Sequence, residues 1–274
     1  MGQLGDVLEL LHDAQPRWDT LRATGRQWRN LPRATEAWER HFAAVQAGHP
    51  AGSVVQLTGY VPDGPQLPVP DESEDRWRLW MEQGGRVRSE RAMGDEPLIV
   101  VFDGPTWWSW SPRMGGMTNA GAEHYGHGFG PAEALIDTSA LLNTLRLQFL
   151  GADTLLGRNV FRLRGVSRVR TAYQPVDGLH ELGVGADDYV LSVDAERGVI
   201  LRAEARLREQ PFIVVEMTEV AFDVDLPAET FTIELPDGQR FEDVSKGGNA
   251  HWRRRRRLFA PGWRRRRFLA RRRG

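Results

Sequence analysis

Three groups of residues have the types and spacing to do chemistry. Glu123-His124-Tyr-Gly-His127 sets two imidazoles three residues apart beside a carboxylate, a donor set that can hold a metal ion. The surrounding glycines hold it loosely and supply no fixed third ligand, so the segment reads as a gating loop rather than a metal centre. Asp71, Glu72, Glu74 and Asp75 crowd four carboxylates into five positions. Their spacing does not match an EF-hand calcium loop, and clustered acids in a loop read as a solvated face. Trp107, Trp108 and Trp110 form the third group. At strand spacing Trp108 and Trp110 share one side and Trp107 takes the other. They read either as the wall of a slot for an apolar ligand or as sheet core beneath helices.

The usual catalytic signatures are absent from the sequence. There is no cysteine, hence no thiolate nucleophile, no disulfide and no Cys-ligated zinc. The chain has no G-x-S-x-G elbow, no H-E-x-x-H and no phosphate-binding Gly-Lys loop. The expectation is a binding protein, not an enzyme, with no cofactor and no metal.

Charge is distributed unevenly. His251 to Gly274 carries twelve Arg and no acid, while the rest of the chain holds 24 basic against 37 acidic residues. Arg clusters alternate there with Trp252, Leu258-Phe259, Trp263 and Phe268-Leu269. Such a tail suits an anionic membrane surface or a nucleic acid, with Arg253, Arg254, Arg255, Arg264, Arg265 and Trp263 as the expected contacts. It also reads as an extension without function. The N-terminus has neither a basic leader nor a long apolar run, and no stretch reaches the eighteen or so apolar residues of a membrane span. The expected location is cytoplasmic, or peripheral at a membrane, and the expected state is a monomer.

The elements that must position these groups can be read from periodicity. Leu4, Val7, Leu8 and Leu11 share a helical face that ends before Pro16. Trp18, Leu21, Gly25 and Trp28 make a second helical stripe, so a helix is expected over Trp18 to Asn30. A third follows Pro32, with His41 as an ordinary side chain on its face. Gly48 to Glu74 reads as a Pro- and Gly-rich loop with one short strand, Ser53 to Tyr60. From Arg76 the period falls to two: Trp77, Leu79 and Met81 share a face. Gly84-Gly85 and Asp103-Gly104 are turns between strands, and Arg113 to Gly130 reads as a loop. Pro131 to Leu150 is apolar enough for a long buried helix carrying Leu141 and Leu145, with Gly151 closing it. A strand over residues 158–169 follows. Three more run from Asp188 to Phe222. In one of them Leu201, Ala203, Ala205 and Leu207 face one way, and Arg202, Glu204 and Arg206 the other. The two alanines leave room for a ligand or for a closely packed helix.

Three stretches carry a family resemblance. They are Phe102-Asp103-Gly104-Pro-Thr-Trp107-Trp108-Ser-Trp110-Ser-Pro112, then Leu191-Ser-Val-Asp194 with Gly198 and Leu201-Arg-Ala-Glu, and the closing Phe231-Thr-Ile-Glu-Leu-Pro236-Asp-Gly238. In order and spacing, over Arg76 to Val244, the chain resembles the LolA, LppX and RseB-like lipoprotein-carrier superfamily. The resemblance implies an α+β fold: an open, strongly curved antiparallel sheet, or half-barrel, with helices on its concave face, here joined by N-terminal helices. It divides the chain into an N-terminal helical extension over residues 1–50, a half-barrel over 51–248 and the Arg-rich tail over 249–274. It also implies a cavity for a lipid, a lipoprotein acyl chain or another apolar ligand. The alternative is a regulatory module that engages a partner protein, whose identity the sequence does not give, without a small ligand. The expected cavity residues are Trp77, Leu79, Trp108, Trp110, Leu141, Leu145, Leu201, Ala203 and Ala205.

Overall fold

The middle of the sheet is a strand where periodicity pointed to a helix. Thr20–Asn30 forms β1, with Leu21, Ala23, Gly25 and Gln27 buried in alternation. The helical stripe is a coincidence of spacing. β1 pairs with a strand on each side, and those two ladders outweigh its local preference. The boundary expected at residue 50 therefore cuts through the sheet.

The computed structural model describes residues 3–14, 17–47, 70–93, 96–120, 128, 130–168 and 182–245. The strand expected at Ser53 to Tyr60, the His124 and His127 pair and the Arg-rich tail lie outside them. Helices α1, Gln3–His12, and α2, Leu31–Ala47, match the expectation. After α2 come β2, Glu72–Glu82; β3, Arg86–Met93; β4, Glu96–Asp103; and β5, Thr106–Ser111. These are the alternating strands and turns expected, except that the acids from Glu72 onward belong to β2 rather than to a loop. A short β6, Gly115–Thr118, lies within the stretch read as loop. Its sequence, GGMT, offers no alternation to detect.

Pro131 to Leu150 is not one helix. It holds α3, Glu133–Ile136, and α4, Thr138–Thr144, and then turns into β7, Leu145–Leu155. Leu147 and Phe149 alternate with exposed Arg146, Gln148 and Leu150, so period two was present beneath a high apolar content. Gly151 sits at an irregularity of β7 opposite β8, Arg158–Ser167, and closes no helix. The remaining strands are β9, Asp188–Asp194; β10, Ile200–Leu207; and β11, Gln210–Phe222. A 3-10 turn at Ala228–Phe231 precedes a two-residue β12, Glu242–Asp243.

The sheet has twelve strands in the order β12-β6-β5-β4-β3-β2-β1-β11-β10-β9-β8-β7 and is open. Every pair is antiparallel except β12 with β6. Helices α1 and α4 lie against each other and against β7, α3 lies on β10, and α2 lies on β1 and β11. Their side chains and those of the strands form the main apolar core, and Trp107, Met117 and Val244 form a second, smaller cluster. Two glycines let helices α1 and α2 approach closely. Gly185, at φ +82°, sits where a side chain would lie 2.0 Å from the Ala37 carbonyl oxygen of α2. Gly198, at φ +74°, stands likewise 2.4 Å from the Leu10 carbonyl oxygen of α1.

Candidate functional site

Directly opposed residues of an antiparallel pair share a face, so the ladder fixes who meets whom. One inner row runs Phe149, Leu163, Leu191, Ala203, Val215 and Gln27 across β7 to β1. Another runs Met217, Gly25, Trp77, Arg91 and Leu98 across β11 to β4. The row through Leu21, Met81, Val87 and Phe102 ends on Trp107.

Of the nine residues expected to line a cavity, seven are buried in the inner core: Trp77, Leu79, Leu141, Leu145, Leu201, Ala203 and Ala205. Helix α3 packs on the strand that carries the two alanines. Leu145 belongs to the core through a strand rather than a helix. Trp108 and Trp110 do not join the others. Trp110 stands opposite Ile99 and Gly116, one residue out of step with the inner row. Its indole N–H donates to Gln239 Oε1 at 3.1 Å, and Gly116 lies against Leu235 and Phe241. The segment after β11 thus runs over the outer face of β3 to β6. Arg88 secures it by donating to the Thr230 and Thr232 carbonyls. Trp107, not its two neighbours, is the inner-facing indole. That follows from strand register, which aromatic spacing cannot report.

The outer face of the other strands is a lattice of opposite charges. Asp188, almost wholly buried, accepts from Arg164 and Arg206 at 2.8 and 2.6 Å. Glu216 accepts from Arg26 at 2.6 Å and Arg202 at 2.7 Å. Asp194 holds Arg158. These hydrogen bonds and charges push the guanidinium pKa values of Arg206, Arg26 and Arg158 upward. The clustered acids, expected to form a solvated face, are used the same way. Glu72 takes the Trp28 indole N–H, Glu74 takes Arg26, and Asp75 takes Arg29.

A groove of about 1000 Å³ is cut into this lattice beside β1 to β4. Arg26, Arg76, Arg78 and Arg91 line it against Glu74, Glu90, Glu96 and Glu216. Its lining also includes Gly25 and Trp77 of the inner row, together with Pro97 and Ile99. Outer positions, both charged and apolar, and the inner positions Gly25, Trp77 and Arg91 therefore line one groove. Sequence reasoning selected Trp77 but neither Gly25 nor Arg91. A glycine midway along a strand is the signal for such a close approach.

Two indoles of the core are unsatisfied. Trp18 and Trp77 are buried, and among the described residues neither Nε1–H has a hydrogen-bond partner. The Ser109 hydroxyl, on the inner face of β5, is in the same state. Tyr189, equally deep, is different. It donates to the Gly183 carbonyl at 2.9 Å, and burial pushes its hydroxyl pKa up. Among the described residues no group of three or more His, Cys, Asp or Glu side chains could hold a metal ion. No described helix is long and apolar enough to cross a membrane.

No protein-family model matches the chain, and no curated protein does. Solved structures similar to it include an uncharacterized conserved protein from Thermus thermophilus, 10% identical, with TM-score 0.46 over 88% of this chain and 99% of that one. MucB is 16% identical with TM-score 0.45 over 84% of this chain, and the matched part spans 62% of MucB. LprF from Mycobacterium bovis is 10% identical with TM-score 0.40 over 81% of this chain and 96% of that one.

Proposed function

We propose that the protein is a non-enzymatic binder of a lipid or another apolar ligand, taken up on the inner face of its sheet. The observation that carries this reading is the groove whose lining includes Gly25 and Trp77 of the inner row. Beyond it the inner face is apolar from Leu163 through Leu191 and Ala203 to Val215. That face is covered partly by short helices, four residues in α3 and seven in α4. Helices this short have little stability of their own and stay in place through apolar contacts, so an apolar chain can take over those contacts. The volume of the groove is at the upper end of small-ligand sites, which run to roughly 1,000 Å³.

A second reading, docking of a partner protein, has its own support. Trp38 on α2 is 42% exposed and stacks on Phe42 with ring centroids 5.6 Å apart. Exposed aromatic pairs are typical centres of protein interfaces. In either case the Arg-rich tail would hold the protein to an anionic surface.

Organic extraction of the protein purified under native conditions tests the first reading. Recovery of a lipid in near-stoichiometric amount supports it. No extractable ligand, together with no uptake of added palmitate, overturns it.

A further inference from the structure

Among the described residues, three buried polar atoms without a hydrogen-bond partner lie on one side of the sheet, and Arg197 Nε, in the turn between β9 and β10, and Asp243 Oδ2 are the others. Trp77 belongs to β2, Ser109 to β5, and Trp18 immediately precedes β1. On the side from β7 to β11, where α1, α3 and α4 pack, the buried Tyr189 hydroxyl is satisfied. An unpaired buried N–H destabilises the fold, and phenylalanine would fill much of the same space without that cost. The surface indoles Trp28 and Trp110 do have acceptors, Glu72 and Gln239. Beside Trp77 in its row stands Arg91, half-buried and, among the described residues, without an ion-pair partner. The other arginines of β2 to β4 that bear on the groove, Arg76 and Arg78, are tied to Glu74 and Glu90. Glu96 reaches the same groove but forms no ion pair with Arg91.

We propose that Trp77 and Arg91 form the head-group end of the ligand site, selecting an apolar chain that ends in a hydrogen-bond acceptor, a carboxylate or an ester. This rests on the apolar-ligand reading and adds an orientation to it: head group at Trp77 and Arg91, chain toward β11 and β10. The indole supplies one N–H to an acceptor of either charge. The guanidinium supplies a cation that favours the carboxylate. The groove balances four guanidiniums against four carboxylates, so selection falls to the individual donors rather than to net charge.

The test is binding of palmitate, methyl palmitate and hexadecane to the full chain and to Trp77→Phe, Arg91→Gln and Arg91→Lys. The wild type is expected to hold palmitate and methyl palmitate at least about tenfold tighter than hexadecane, the worth of one well-placed hydrogen bond. Trp77→Phe narrows that gap for both, while thermal unfolding shows it as stable as the wild type or more so. Arg91→Gln removes the preference for palmitate over its methyl ester, and Arg91→Lys keeps it. Equal affinity of the wild type for all three probes overturns the head-group assignment and leaves apolar binding standing. Unchanged discrimination in Trp77→Phe and Arg91→Gln overturns it as well. Binding of none of the three overturns both proposals.

Discussion

Gly25 and Trp77 are cross-strand partners, and the indole of one occupies the place of the side chain that the other lacks. A Cβ on Gly25 would lie 2.1 Å from Trp77 Cζ2 and 2.3 Å from the Glu216 carbonyl oxygen. The pair stands at a register shift between β1 and β11, where a strand bends and twists more strongly. Gly25→Ala is therefore expected to destabilise the protein by about 1–3 kcal/mol, the usual cost of overpacking a filled site. The urea midpoint measures it. A midpoint equal to wild type would mean that the indole can move aside without loss.

Asp188 carries a second prediction. Its carboxylate is 3% exposed and bridges Arg164 and Arg206, which are 46% and 23% exposed. Removing the charge leaves two guanidiniums facing a neutral group. Because both arginines reach water, the loss is discounted to about 1–3 kcal/mol for Asp188→Asn. Arg76→Ala, by contrast, removes a side chain that is 86% exposed, and should change stability by less than about 0.5 kcal/mol. Equal effects of the two substitutions would remove burial as the deciding variable.

His41 on α2 gives a pH dependence. Burial holds its imidazole pKa below the ordinary histidine range. As pH falls through that range the unfolded chain takes up a proton that the folded chain still refuses, so stability falls. Above it both states are neutral and His41 contributes no slope. Stability curves at about pH 7.5 and about pH 5.5 should therefore differ less for His41→Gln than for the wild type. Parallel losses in the two proteins would assign the slope to other groups.

The tail is tested by truncation after Gly248. The full chain should sediment with anionic liposomes and lose them as salt rises, since each Arg near such a surface contributes on the order of 1 kcal/mol. The truncated chain should stay in the supernatant. Retained liposome binding after truncation would place the contact in the body. Binding of the full chain to RNA but not to liposomes would turn the assignment to nucleic acid.

How far the fold could be read depended on what each segment's pattern reports. β2 and β10 were legible because Trp77 and Leu79 alternate with Arg76 and Arg78, and Leu201, Ala203 and Ala205 alternate with Arg202, Glu204 and Arg206. β1 was not, since its buried row is Leu21, Ala23, Gly25 and Gln27. Small and polar residues on the inner face hide the alternation, and Trp18, Leu21 and Trp28 happen to fall at helical spacing. β7 was masked by the apolar content it shares with α3 and α4. The candidate site was half legible. Trp77 could be placed on an inner wall from its own strand, whereas the faces of Trp107, Trp108 and Trp110 depend on pairing across four strands and on a segment more than a hundred residues later. Arg91 gave no local signal, because its lack of an ion-pair partner among the described residues is a property of the assembled sheet.

The central claim, uptake of an apolar ligand on the inner face, is tested most directly by native mass spectrometry of the full chain before and after incubation with palmitate. The account predicts a species heavier than the bare chain by one palmitate, or an endogenous ligand of lipid mass that added palmitate displaces. A single peak at the mass of the bare chain under both conditions would contradict it.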